Sequence, residues 1–132
     1  MKYEPILHKL SNGVTVILDP SESATVHANV VFKTGSLDEK PGEYGITHFC
    51  EHMLCKGTKR FPSRQSIDDY INDNAGWRNA YTNETCIGLE GGILPENTEL
   101  LLDLFADQLQ NSLFDETVLE RERGVISDEL IF

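Results

Sequence analysis

Positive charge is scarce in this sequence: 11 Lys and Arg stand against 22 Asp and Glu, for a formal net charge of -11 at pH 7. A nucleic-acid partner needs a basic surface that displaces phosphate counterions, and this composition supplies none. Basic peptides are compatible with an acidic surface, although such a surface also serves solubility alone. Cysteine is sparse as well. Cys50, Cys55 and Cys86 are an odd set, unlike a disulfide framework, and read as reduced and buried thiols. No apolar run approaches the roughly 20 residues of a membrane span. The start, Met1-Lys2-Tyr3-Glu4-Pro5, lacks the apolar core of a signal peptide, and there is no Arg-rich, acid-poor transit segment. These absences predict a cytoplasmic protein whose partners include neither membrane nor nucleic acid. Histidine is the last scarce type, with four in 132 residues, and two of them share one short stretch.

That stretch is His48-Phe49-Cys50-Glu51-His52, an H-x-x-E-H signature. On a helix of about 3.6 residues per turn, His48 and His52 lie one turn apart, with Glu51 beside both. Two neutral imidazoles and a carboxylate then point into the same space. Zinc hydrolysis needs this set: ring nitrogens to hold the ion and a carboxylate to take a proton from the water it activates. Cys50 is a poor extra ligand, because on a helix it points about 160° away from His52.

The rest of the chain reads as one domain, with no repeats and no linker that would divide it. Ser11-Asn12-Gly13 between β-favouring runs predicts two short antiparallel strands joined by a two-residue turn. From Ala24 to Lys33 polar and apolar residues alternate as in a strand, which places His27 on a polar face and gives neither it nor His8 a ligand role. A loop from Thr34 to Tyr44 delivers the chain to a helix over about 46–54. Gly57-Thr58 ends that helix, and Lys56, Lys59 and Arg60 read as dipole-complementing, solubilising cations. Ser63 is a candidate N-cap for a second helix, which Asn74-Ala75-Gly76 stops. Trp77 to Glu90 reads as extended, with Tyr81, Thr85, Ile87 and Leu89 at even spacing and Gly91-Gly92 closing it. Pro95 opens an apolar core helix carrying Leu100, Leu101, Leu104, Phe105 and Leu109, and Asp115 caps a last helix running from about Glu116 to Phe132.

A structural zinc site closes its shell with four protein ligands, whereas a catalytic one uses three. No pair of further Cys or His ligands stands near the signature, so a distant carboxylate is the natural third ligand. Glu122 and Glu129 lie seven residues apart, two turns on one face of the last helix, and either reaches the ion if that helix packs on the first. Both also suit a solvated acidic face.

The run Gly45-Ile46-Thr47-His48-Phe49-Cys50-Glu51-His52-Met53-Leu54 with Lys56-Gly57-Thr58 resembles the active-site segment of the M16 metallopeptidases, the family of pitrilysin, insulinase and the mitochondrial processing peptidase. Asn12-Gly13, Gly35-Ser36 with Glu39, Asn79-Ala80-Tyr81-Thr82 with Glu84-Thr85, and Arg121-Glu122-Arg123 leading to Glu129 are similar to family landmarks in family order. In that family the third zinc ligand is a Glu far downstream, seven residues after another Glu; Glu129 lies 77 residues past His52 and seven past Glu122. The resemblance therefore implies one Zn2+ held by His48, His52 and Glu129, with Glu51 as general base and Glu122 as a supporting carboxylate. It implies an α+β fold of the LuxS/M16 metallopeptidase type, a mixed and largely antiparallel sheet with helices on one face.

The activity it implies is endopeptidase hydrolysis of extended peptides or unfolded proteins by a metal-activated water. Asn79, Ala80, Tyr81 and Thr82 would form a sheet edge that takes the substrate as an added strand. Family peptidases continue past the zinc Glu and close a second half over the substrate. With Phe132 three residues beyond Glu129, the expectation is a single amino-terminal catalytic domain that lacks that continuation and works as a homo-oligomer or with a complementary M16 half. Two other readings are a non-catalytic, zinc-containing peptide-binding or partner subunit, and a structural zinc domain. The intact Glu51 speaks against the first, since a binding module has no need of a general base.

Overall fold

The β-favouring runs on either side of Asn12-Gly13 form two antiparallel strands, β1 (Ile6–Lys9) and β2 (Thr15–Leu18), with Ile6 opposite Leu18 and Lys9 opposite Thr15. The computed structural model describes residues 4–129. The connection is longer than the expected two-residue turn. Leu10 N–H donates to Val14 O at 2.8 Å, which leaves Ser11 to Gly13 as the loop. Asn12 Oδ1 accepts from Val14 N–H at 3.1 Å and Gly13 takes a φ of 92°, the left-handed position of a three-residue hairpin loop. This hairpin is a sheet of its own, and Ile6, Leu7, Ile17 and Leu18 on it are all more than half exposed.

The main sheet has three antiparallel strands, with β5 (Ile87–Ile93) between β3 (Val26–Phe32) and β4 (Trp77–Thr82). The single extended run expected over Trp77 to Glu90 is thus two strands. The chain reverses at Asn83 to Cys86, where Asn83 Oδ1 accepts from the N–H of Thr85 and of Cys86, both at 2.9 Å. An Asn side chain can stand in for backbone in this way, so the turn forms without glycine or proline. Gly91 and Gly92, expected to close the strand, lie inside β5 opposite Ala28 and His27. The reversal also moves Tyr81 off the face of Ile87 and Leu89: it sits opposite Gly88. There its ring covers Gly88, as the Trp77 ring covers Gly92, filling space that a β-carbon at either glycine would occupy. Asn29 Nδ2–H donates to Tyr81 Oη at 3.0 Å and fixes the ring on this outer face.

The opposite face carries the helices. They are α1 (Ile46–Leu54), α2 (Arg64–Asp73) and α3 (Thr98–Asn111). Ser63 caps α2, its Oγ accepting from Ser66 N–H at 3.2 Å, and the chain leaves α2 through Asn74 and Ala75, the latter at φ 55°. A 3-10 turn at Pro95–Asn97 leads into α3. Leu101, Leu104 and Phe105 of α3 pack with Ile67 and Ile71 of α2 and Leu89 and Ile93 of β5, all essentially without solvent exposure. Burying one such side chain stabilises by about 1.5–3 kcal/mol, so this cluster is what fixes α2 and α3 to the sheet. A last helix, α4 (Glu116–Glu129), starts at Asp115, whose Oδ1 accepts from Thr117 and Val118 N–H at 3.0 and 3.1 Å. It packs on α1 and buries only Glu122 and Ile126. Its expected continuation to Phe132 lies outside the described residues. The arrangement is the expected α+β one, with antiparallel sheet and helices on one face. Among the described residues no helix is long and apolar enough to cross a membrane.

Candidate metal centre

The position of α1 is set from the loop before it. Ser36 and Leu37 N–H donate to Asn83 and Glu84 O at 3.1 and 3.0 Å, which ties the loop to the β4–β5 turn. Glu39 then reaches the start of α1 and accepts from the N–H of Gly45 (2.8 Å) and Thr47 (2.9 Å) and from the Thr47 hydroxyl. A carboxylate suits the positive end of a helix dipole. The Thr47 hydroxyl, with the backbone N–H groups, holds the Glu39 carboxyl below its ordinary pKa against the opposing effect of burial.

From that anchored start, α1 brings its two histidines together. His48 Nε2 and His52 Nε2 are 3.1 Å apart, and Glu129 Oε2 of α4 lies 3.7 Å from the first and 3.8 Å from the second. Two ring nitrogens that face each other this closely, both with lone pairs, repel unless a proton or cation lies between them. Ligands about 2.0–2.1 Å from a tetrahedral zinc are about 3.3 Å from one another, so the three atoms fit around one ion. His52 Nδ1 lies 2.9 Å from Glu122 Oε2. A carboxylate only accepts, so Nδ1 carries the proton and Nε2 keeps its lone pair for the site.

Glu122 is 4% exposed, and Lys56 Nζ lies 2.7 Å from its Oε1. Burial alone would raise its pKa, but the Lys56 ammonium and the His52 ring outweigh this and hold the carboxyl lower than usual. Lys56, which the sequence suggested was a helix-end cation, is therefore the counter-charge of a buried carboxylate. Its place four residues after His52, just past the end of α1, was the available signal.

Glu51 is 12% exposed on its side chain; its Oε2 lies 3.9 Å from His48 Nε2 and accepts from Thr82 Oγ1 at 3.3 Å. Strand alternation divides the four residues expected to act as one substrate edge. Ala80 and Thr82 face the helices and Glu51, whereas Asn79 and Tyr81 face outward, Asn79 Nδ2–H donating to Glu90 Oε1 at 3.0 Å. The outer edge of β4 has no neighbouring strand among the described residues. Beside Glu51 and His52 a cleft opens, lined also by Cys55, Arg64, Asp68 and Arg78. Cys50 is half-buried, and burial pushes its thiol pKa up. His8 lies in β1, and His27 in β3 packs edge-on against Trp77 at 5.7 Å, so neither joins the cluster.

Comparison with known proteins places this chain among peptidases. The sequence profile of Insulinase (Peptidase family M16) matches residues 14–131. Over 120 residues the chain is 34% identical to the mitochondrial-processing peptidase subunit beta of Dictyostelium discoideum, covering 91% of this chain and 26% of that one. It is 34% identical to the insulin-degrading enzyme of Homo sapiens, covering 92% of this chain and 12% of the enzyme. The fold matches the crystal structure of a protease from Helicobacter pylori with a TM-score of 0.90 and 27% identity, over 98% of this chain and 31% of the protease. It matches pitrilysin with a TM-score of 0.84 and 26% identity, over 98% of this chain and 14% of pitrilysin. The chain thus spans less than a third of the length of these relatives.

Proposed function

Because the chain belongs to the M16 (insulinase) family of peptidases, we propose that it is the metal-binding catalytic part of a zinc-dependent endopeptidase. The observation that carries this reading is the convergence of His48, His52 and Glu129, drawn from α1 and α4, on one point beside Glu51. Zinc bound there supplies Lewis acidity, polarising the scissile carbonyl and making an attacking water easier to deprotonate. Glu51 takes the proton from that water and returns it to the leaving amine nitrogen. Glu122 holds the His52 ring in the tautomer that ligates, and Lys56 keeps Glu122 ionised.

The open edge of β4 takes the peptide as an added strand, with the backbones of Asn79 and Ala80 nearest the scissile bond. Main-chain pairing of this kind accepts many sequences, as a protease of extended or unfolded chains requires. Thr82, bonded to Glu51, couples that edge to the base. A complementary M16 half or a second copy completes the cleft. The exposure of Glu129, 48% on its side chain, and the apolar side chains left open on β1 and β2 favour such a partner.

The same exposure also fits a second reading, a peptide-binding partner subunit that holds zinc without turnover. One paired measurement separates them: metal content and cleavage of a quenched peptide library for wild type and Glu51→Gln. Zinc retained in both, with cleavage lost only in Glu51→Gln, is the expected result. No cleavage by wild type, even with a complementary half added, selects the partner subunit, and loss of no metal on His48→Ala removes the zinc site.

A further inference from the structure

The cleft beside Glu51 contains charge that the reaction above does not use. Arg78 projects from β4 toward α2 with its side chain 6% exposed, and its Nη2 donates to Asp68 Oδ1 at 2.7 Å. Its Nε is buried without any hydrogen-bond partner. Arg64 Nε lies 3.5 Å from the other Asp68 oxygen. Two guanidinium groups therefore share one carboxylate. The remaining charged groups of the cleft have partners of their own: Lys56 lies 2.7 Å from Glu122, and Glu51 accepts from Thr82 Oγ1. Asp68 thus offers one carboxylate to two guanidinium groups, on a wall that also holds the β4 edge. A buried guanidinium with an unmade bond is costly, and a carboxylate accepting from its fork is the partner of matching shape and charge.

Resting on the peptidase reading, we propose that this cleft selects peptide substrates bearing a carboxylate next to the scissile bond, with Arg78 and Arg64 as the residues that recognise it. Arg78 adjoins Asn79 and Ala80, so a peptide paired along β4 passes its side chains over the guanidinium within reach of Glu51. The carboxylate belongs either to an Asp or Glu side chain or to a peptide's own carboxyl end; both meet the same donors. The Asp68 pair orients Arg78, and the shortage of acceptors makes the site selective rather than merely structural.

Binding to the zinc-loaded Glu51→Gln protein, followed by calorimetry, tests this without turnover. Three probes are compared: an end-blocked peptide with Glu beside the scissile bond, the same peptide with Gln, and the Gln peptide with a free carboxyl end. A carboxylate-bearing probe is expected to bind about tenfold tighter than the blocked Gln peptide, the scale of one charge-assisted hydrogen bond. Which of the two does so identifies the source. Arg78→Met and Arg64→Met should each erase most of the preference, and Arg78→Lys should restore part of it. Equal binding of all three probes, or binding of none, overturns the proposal, and because wild-type Arg78 carries that comparison, a misfolded variant cannot rescue it. Cleavage without charge preference refutes the cleft alone; preference without cleavage by the wild type, even with a complementary half added, refutes the peptidase and leaves the cleft standing.

Discussion

At the scale of single residues, the chemistry here depends on which atom of each side chain is presented. Glu122 and Glu129 share a face of α4, and residue types alone left them equal as candidate ligands. Packing separates them: Glu122 meets His52 on the Nδ1 side, while Glu129 comes to the two Nε2 atoms. Helical periodicity made His48, Glu51 and His52 legible, because spacings of three and four residues fix a shared face. The crossing of α1 and α4 is a long-range property, and only the family resemblance pointed to Glu129. Replacing Glu122 by Ala should weaken metal affinity by about 10–100-fold, the usual cost of losing a ligand-orienting partner, while stoichiometry stays at one ion. Competition with a chromogenic chelator measures this, and an unchanged affinity would detach Glu122 from the site. Glu39 makes a pH prediction. Its pKa is depressed in the folded protein, so its contribution is fully present above the unfolded carboxyl value and is lost as pH falls through the folded one. Glu39→Gln should therefore destabilise by about 1 kcal/mol at neutral pH, as the loss of an N-cap does, and flatten the acid limb of the stability profile. Urea midpoints between pH 7 and pH 3 report the difference.

At the scale of elements, the loop before α1 meets the β4–β5 turn at Gly35. A β-carbon there would lie 2.5 Å from Asn83 O, Glu84 C and Thr85 N, all of them backbone in the β4–β5 turn. The loop carrying Glu39 docks on that turn only because this residue has no side chain. Gly35→Ala should cost about 1–3 kcal/mol, as overpacking against unyielding atoms does, and should loosen the start of α1 as well. Denaturant unfolding followed by circular dichroism gives the first effect. Loss of amide protection at 45–48 gives the second; protection unchanged there would mean that α1 holds its place without the loop. The same turn marks where reading by pattern failed. Asn83-Glu84-Thr85-Cys86 has no Gly or Pro, so an Asn-capped reversal looked like continuous strand, and the face of Tyr81 was assigned with the wrong parity. Helix starts were better marked, since Ser63 and Asp115 act as caps through their own side chains.

Over the whole molecule, the candidate ion would join the first helix to the last. α4 buries only Glu122 and Ile126, with Val118 and Leu119 half-buried, so an ion held between His48, His52 and Glu129 would add to a small packed contact. At zinc a thousandfold above its dissociation constant, binding stabilises the folded chain by about 4 kcal/mol. Chelation should lower the thermal midpoint and speed hydrogen exchange across 116–129 before it affects α3. Uniform loss of protection would show instead that α4 is held by packing alone. Strand order was beyond the reach of pattern: β4 and β5 form a local hairpin, but β5 takes β3 as its other neighbour across a long stretch of chain. Among the described residues that order leaves β4 at the edge of its sheet, and β4 begins with Trp77, the only tryptophan of the chain, 45% exposed above Gly92. The protein therefore carries its own optical probe on the strand where a peptide would dock. Tryptophan emission should shift toward the blue and gain intensity as an extended peptide fills that edge, with no label attached, so occupancy can be followed in real time apart from cleavage.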